Sequence, residues 1–165
     1  MAESAIFSHS MALDYRILFS DSAPVLPDFL YQLPAIVAAR SSVMPEEHGW
    51  LLVDEQQEIA LRISASEKAD YLDFVFGPYH YQSSWYVRFN TPNRFRAQQL
   101  LLEVFKQLAV VVESNFLAVF NGELVILRKE GRQVYLNSLS GTWDTTEALA
   151  VLAPVAYTLA EYPVY

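Results

Sequence analysis

The amino-acid sequence predicts an α+β fold: a single twisted antiparallel β-sheet with a long helix and shorter helices packed on one face. Three observations predict it. Short segments alternate apolar and polar residues at period two and are joined by brief polar turns, the pattern of antiparallel strands. Residues 91–114 instead repeat their apolar positions every three or four residues, the pattern of a helix with one buried face. Residues 116–138, FLAVFNGELVILRKEGRQVYLNS, read as a three-strand meander. Its Asn121-Gly122 pair can supply the two φ > 0 residues of a type I′ turn, and Glu130-Gly131 comes close to the same chemistry.

In chain order, Leu13, Tyr15, Ile17 and Phe19 alternate with Asp14, Arg16 and Leu18, which predicts a half-buried first strand closed by Ser20-Asp21-Ser22. A helix is expected from Asp28 to Ala39, with Pro27 in its first turn and Pro34 kinking it. Residues 44–50 read as irregular. A short strand follows at 50–53, a turn at 54–57, and a strand at 58–64 with Ile59, Leu61 and Ile63 on one face. The next strand, 71–76, is expected to break at Gly77-Pro78. In the strand 84–90, Trp85, Val87 and Phe89 face one way, and Tyr86 and Arg88 the other. Thr91 and Pro92 open the long helix as N-cap and first residue. Its buried face is expected to carry Ala97, Leu101, Val104, Phe105, Leu108, Val111 and Val112. After the meander comes a loop at 141–144, then a short helix, 146–153, capped by Thr145 and interrupted by Pro154. An apolar, Tyr-rich tail follows.

The 165 residues suit one domain with a hydrophobic core. The first ten read as a leader or tag-like segment, since a second methionine, Met11, opens the first strand; the single domain is then 11–165. That leader has no basic start and no long apolar core, so it is not a secretory signal. The most apolar long segment, 100–112, is broken by Glu103, Lys106 and Gln107, so no membrane span is expected. The absence of cysteine excludes disulfides, thiolate metal sites and Cys nucleophiles and fits a cytoplasmic protein. With 11 Lys and Arg against 19 Asp and Glu, the formal charge is −8. No basic stripe is available to neutralise phosphates, so nucleic acid is not an expected partner.

No motif announces catalysis. His9, His48 and His80 lack metal-ligand spacing. Ser138-Leu139-Ser140-Gly141 lacks the first glycine of a nucleophile elbow. Glu46-Glu47 and Asp54-Glu55 are adjacent pairs, and neighbours on a strand point to opposite faces. A non-enzymatic protein without metal or cofactor is therefore expected.

The acids are unevenly spread. Residues 41–73 hold eight of them against two bases, Arg62 and Lys68. This is either a solvated run of turns or a docking surface for a basic partner. The candidate partner-binding residues are Glu46, Glu47, Asp54, Glu55, Glu58, Asp70 and Asp73. Trp50, Tyr71, Tyr79, Tyr81, Trp85 and Tyr86 could add aromatic anchors.

A further pattern runs through the rest of the chain. It comprises Met11-Ala12-Leu13-Asp14-Tyr15, a long helix, residues 116–123 with their Asn121-Gly122 turn, then Arg128, Gly131, Leu136-Asn137, Trp143 and a closing tail containing Leu and Pro. Together these resemble the immunity proteins of swarming-inhibition toxin–immunity systems, within the wider set guarding against polymorphic toxins. The resemblance covers mainly residues 91–154 and the first strand. It implies a cytoplasmic protein that binds and neutralises a cognate toxin, with no catalytic residues; the acidic segment would suit a basic, nuclease-type toxin. A secretion-system effector chaperone, also small, acidic and α+β, is the alternative. A small carboxylate enzyme is a third.

Overall fold

The computed structural model describes residues 11–33, 42–54 and 59–164. Among these, the elements in order are β1 (Met11–Phe19), α1 (Leu26–Tyr31), β2 (Ser42–Glu46), β3 (Gly49–Asp54), β4 (Ile59–Ser66), β5 (Asp70–Phe74), β6 (Gly77–Tyr81), β7 (Ser83–Thr91), α2 (Arg94–Val111), β8 (Phe116–Phe120), β9 (Leu124–Glu130), β10 (Gln133–Asn137), α3 (Thr146–Val151) and β11 (Thr158–Ala160). The class is mixed α and β, as expected. Nine strands form one sheet in the order β11-β10-β9-β8-β1-β7-β4-β3-β2.

Two features depart from a single antiparallel sheet. β5 and β6 form a separate two-stranded sheet, and β11 pairs parallel with β10. The second sheet has a physical cause. β8 is buried along its length except at Phe120, because its apolar run has no polar alternate positions. Leu117 and Val119, with Leu18 and Val125, therefore need cover on the face away from the helices. Phe74, Tyr79 and Tyr81 of the hairpin provide it. The hairpin reverses at Val75-Phe76, and Gly77 takes φ 112 at its exit. Gly77-Pro78, expected to break a strand, instead starts β6. Pro78 lacks an N–H, a lesser handicap in a two-stranded ribbon where each strand has a free edge.

The helix face holds the main core. Phe19, Trp85, Phe89, Phe105 and Phe116 are essentially inaccessible there, each contributing on the order of 2–3 kcal/mol by its removal from water. Trp85, Val87 and Phe89 face this core and Tyr86 and Arg88 do not, matching the expected alternation. Residues 44–50, expected to be irregular, belong instead to the hairpin of β2 and β3. Pro45 sits on β2, the last strand of the sheet, where a missing donor is tolerated.

The helix ends differ from expectation. Thr91 pairs with Met11 as the last residue of β7, so the cap moves to Asn93, whose side chain accepts from the Arg96 N–H at 3.1 Å. α2 stops at Val111, and the buried Lys129 ammonium donates to the Val112 carbonyl, placing a cation at the negative end of the helix dipole. Burial lowers the Lys129 pKa. Leu100 and Leu102 join the buried face, while Val111 is exposed. Thr145 caps α3 as expected, accepting from the Ala148 N–H. Both Asn121 and Gly122 have positive φ, 52° and 76°, as a type I′ turn requires. The expected continuation of the first helix to Ala39, and the leader, lie outside the described residues.

Candidate binding site

A cavity of about 800 Å³ opens at the end of the sheet where β1 finishes, β4 finishes and β7 begins. Local sequence explains the opening. Pro24 stiffens the loop from β1 into α1, Pro27 sits in the first turn of α1, and Pro45 lies on β2 one pair before the β2–β3 turn. Gly49 lies against β4: a Cβ there would collide with the Ile63 carbonyl, so only glycine lets the turn close this near. Trp50 and Trp85 line the floor. The Trp85 ring meets Phe19 and Phe29 edge to face, both with centroids 5.1 Å away. Its indole N–H has no hydrogen-bond partner among the described residues, a cost of about 1–3 kcal/mol for a buried donor.

The rim is acidic. Asp21, Glu46 and Glu67 line it, and no Lys or Arg does among the described residues. Glu47 stands beside it in the β2–β3 turn with His48, their nearest atoms 3.7 Å apart, an ion pair only when the imidazole is protonated. Ser83 donates to the Asp21 carbonyl at 2.8 Å, tying the start of β7 to the loop after β1. Chemically, such a site suits a cationic group: carboxylates at the mouth supply charge, and the partly buried Trp50 ring beside them can supply cation–π attraction.

The sequence-predicted acids do not form one patch. Glu46 and Glu47 sit at the cavity, but Arg62 holds the Glu46 carboxylate through two bonds of 2.8 and 3.1 Å and offsets its charge. Asp54 is at the far end of β3, roughly 17 Å from Gly49 at about 3.3 Å per strand residue. Asp70 and Asp73 lie on β5, in the separate hairpin. Glu55 and Glu58 lie outside the described residues. Asp21, on the rim, was not picked out by sequence, because it is an isolated acid just beyond β1; Glu67, also on the rim, belongs to the acidic run 41–73 but was not among the candidate residues. The signal that could have found them is the clustering of Pro24, Pro27 and Pro45 with two tryptophans.

Among the described residues no group of three or more His, Asp or Glu could hold a metal ion. His80 is on β6 against Tyr71, centroids 5.5 Å apart, away from His48. No helix among the described residues is long and apolar enough to cross a membrane. No family model matches the chain, and no curated protein or solved structure matches it either.

Proposed function

We propose that this protein is a non-enzymatic, cytoplasmic immunity protein that binds a basic, nuclease-type toxin and neutralises it by occlusion. The observation that carries the reading is the tryptophan-floored cavity with its rim of Asp21, Glu46 and Glu67, on a chain of net charge −8. Complementary charge raises the encounter rate with a cationic partner, and a desolvated aromatic floor gives a lysine or arginine of that partner somewhere to anchor. The resemblance carried by residues 91–154 points to the same class of activity.

The test is a binding measurement with the product of the adjacent gene. A complex is expected whose association rate falls steeply as salt is raised. Reversing Asp21, Glu47 and Glu67 to Lys together should weaken it by about 100-fold, taking roughly 1 kcal/mol per partly exposed charge. If no complex forms with that product, or if the triple reversal binds like the parent, the reading fails.

A further inference from the structure

We propose a second site, for a phosphoryl-type oxyanion, on the face of the sheet away from the helices, between Arg16 and Lys68. It adjoins the acidic cavity, sharing Ala65, Ser66 and Ser84 with its lining, but does not rest on the toxin-binding reading, since it takes the other sign of charge. A pocket of about 320 Å³ lies between β4, β7, β1 and the small hairpin. Strand register builds it. Ser64, Tyr86 and Arg16 are neighbours in one row across β4, β7 and β1, and Ser66 and Ser84 are neighbours in the next.

The charge here is locally inverted and unspent. On the same side of the sheet, Arg62 pairs with Glu46, Arg88 with Asp14 and Arg128 with Glu130. Arg16 has no carboxylate partner among the described residues. Its guanidinium donates instead to the Tyr81 hydroxyl at 3.0 Å and lies 5.6 Å from that ring's centroid. Tyr81 therefore orients the cation without neutralising it. Lys68, the other cation lining the pocket, also lacks an ion pair among the described residues.

Hydroxyl donors accompany the charge. Ser84 is only 7% exposed and lines the pocket, where its hydroxyl can donate to a ligand acceptor. Ser66 accepts from the Lys68 N–H at 3.3 Å, leaving its own proton to donate. Ser64 stands in the adjacent row. An acceptor-only ligand carrying one or two negative charges fits this set, and a phosphoryl group has both properties. Asp70 also lines the pocket, its Oδ1 accepting from the Tyr71 N–H at 2.8 Å. It opposes an anion and limits affinity.

The probe is inorganic phosphate, titrated against the intact chain at constant ionic strength with chloride as the balance, and followed by amide chemical shifts. Saturable shifts are expected at Ser64, Ser66, Ser84 and Tyr86. Arg16→Gln should weaken binding at least about 10-fold, Arg16→Lys less, and Lys68→Gln, on an exposed connection, about 5-fold, as expected for losing one charge-assisted contact. Asp70→Asn should tighten it. Arg94→Gln, on α2, should leave it unchanged. Sulfate arms with the same response would show a general tetrahedral-oxyanion site, within the proposal. Shifts equal to those of chloride, shifts scattered over unrelated basic residues, or Lys68→Gln and Arg16→Lys both binding like the parent would overturn it.

Discussion

The two ends of the large sheet treat their polar groups in opposite ways. At the β9–β10 end the buried polar side chains of the strands themselves, Lys129 and Asn137, are both bonded. The Asn137 amide donates to the Val125 and Tyr162 carbonyls at 2.7 and 2.9 Å, and its oxygen accepts from the Leu139 and Tyr162 N–H groups at 3.0 Å each. The Trp143 indole donates to the Ile126 carbonyl at 3.0 Å. At the β4–β7 end, the Trp85 indole N–H has no such partner among the described residues, and Trp85 lines the acidic cavity. Satisfied groups fix one structure, and unsatisfied ones beside open space carry a cost that a ligand can relieve. The difference separates a scaffold end from the end we propose for binding.

The comparison breaks most visibly at Asn137. Replacing it with Leu keeps the volume but strands four backbone groups and frees the segment that carries β11. A loss of about 3 kcal/mol is expected, three or more times the net value of one hydrogen bond. Denaturant unfolding measures it. A loss under about 1 kcal/mol would mean that water or a shift of the tail replaces the side chain, and the scaffold end would no longer be distinct.

The paired tryptophans sharpen the comparison. Trp143→Phe removes a donor and orphans the Ile126 carbonyl, so about 1–2 kcal/mol should be lost. Trp85→Phe removes a donor that has no partner in the free protein. The smaller ring still leaves some space, so the expected cost is below about 1 kcal/mol. Its larger effect should appear in binding at the acidic cavity, where the indole floor is thinned. If Trp85→Phe costs more stability than Trp143→Phe, the indole N–H at residue 85 is satisfied in solution and the two ends are alike.

The scaffold end was largely legible in the sequence and the binding end was not. Local chemistry decides the first: Asn121-Gly122 fixes a turn, and Thr145 caps a helix, each within a few residues. Asn137 escaped because its partners, Val125 and Tyr162, are set by the parallel docking of β11, a tertiary event that no local pattern encodes. The hairpin of β5 and β6 escaped for a related reason. Phe74 and Phe76 lie two residues apart and read as one continuing alternation, while the need for a cover over Leu117 and Val119 appears only once β8 has neighbours on both sides. The acidic run from Glu46 to Asp73 was visible as composition. Its division between the cavity, the far end of β3 and the hairpin depends on strand length and register, and on an ion pair between Glu46 and Arg62 that spans two strands.

The smallest expected effect concerns Tyr79, on the hairpin, whose hydroxyl is buried without a partner among the described residues. Removing it by Tyr79→Phe should be neutral or stabilising by up to about 1 kcal/mol near neutral pH, since no bond is lost and a desolvated oxygen is relieved. The alkaline limb gives a second reading. Burial first, and the Glu130 carboxylate second, push the Tyr79 pKa from 10.0 up to about 12, opposed by Arg128. Below pH 10 the phenol is protonated whether the chain is folded or unfolded, and it adds no pH dependence. Between pH 10 and about 12 the unfolded chain releases the proton and the folded chain keeps it, so stability falls as pH rises through this window. Tyr15, raised to about 12 by burial, adds the same sign. Tyr79→Phe should therefore flatten part of that fall and leave the Tyr15 share, measured as unfolding midpoint against pH. An unchanged slope would place a solvent path to the Tyr79 hydroxyl, and the hairpin would then be a loosely seated cover whose anion pocket with Arg16 opens and closes with it.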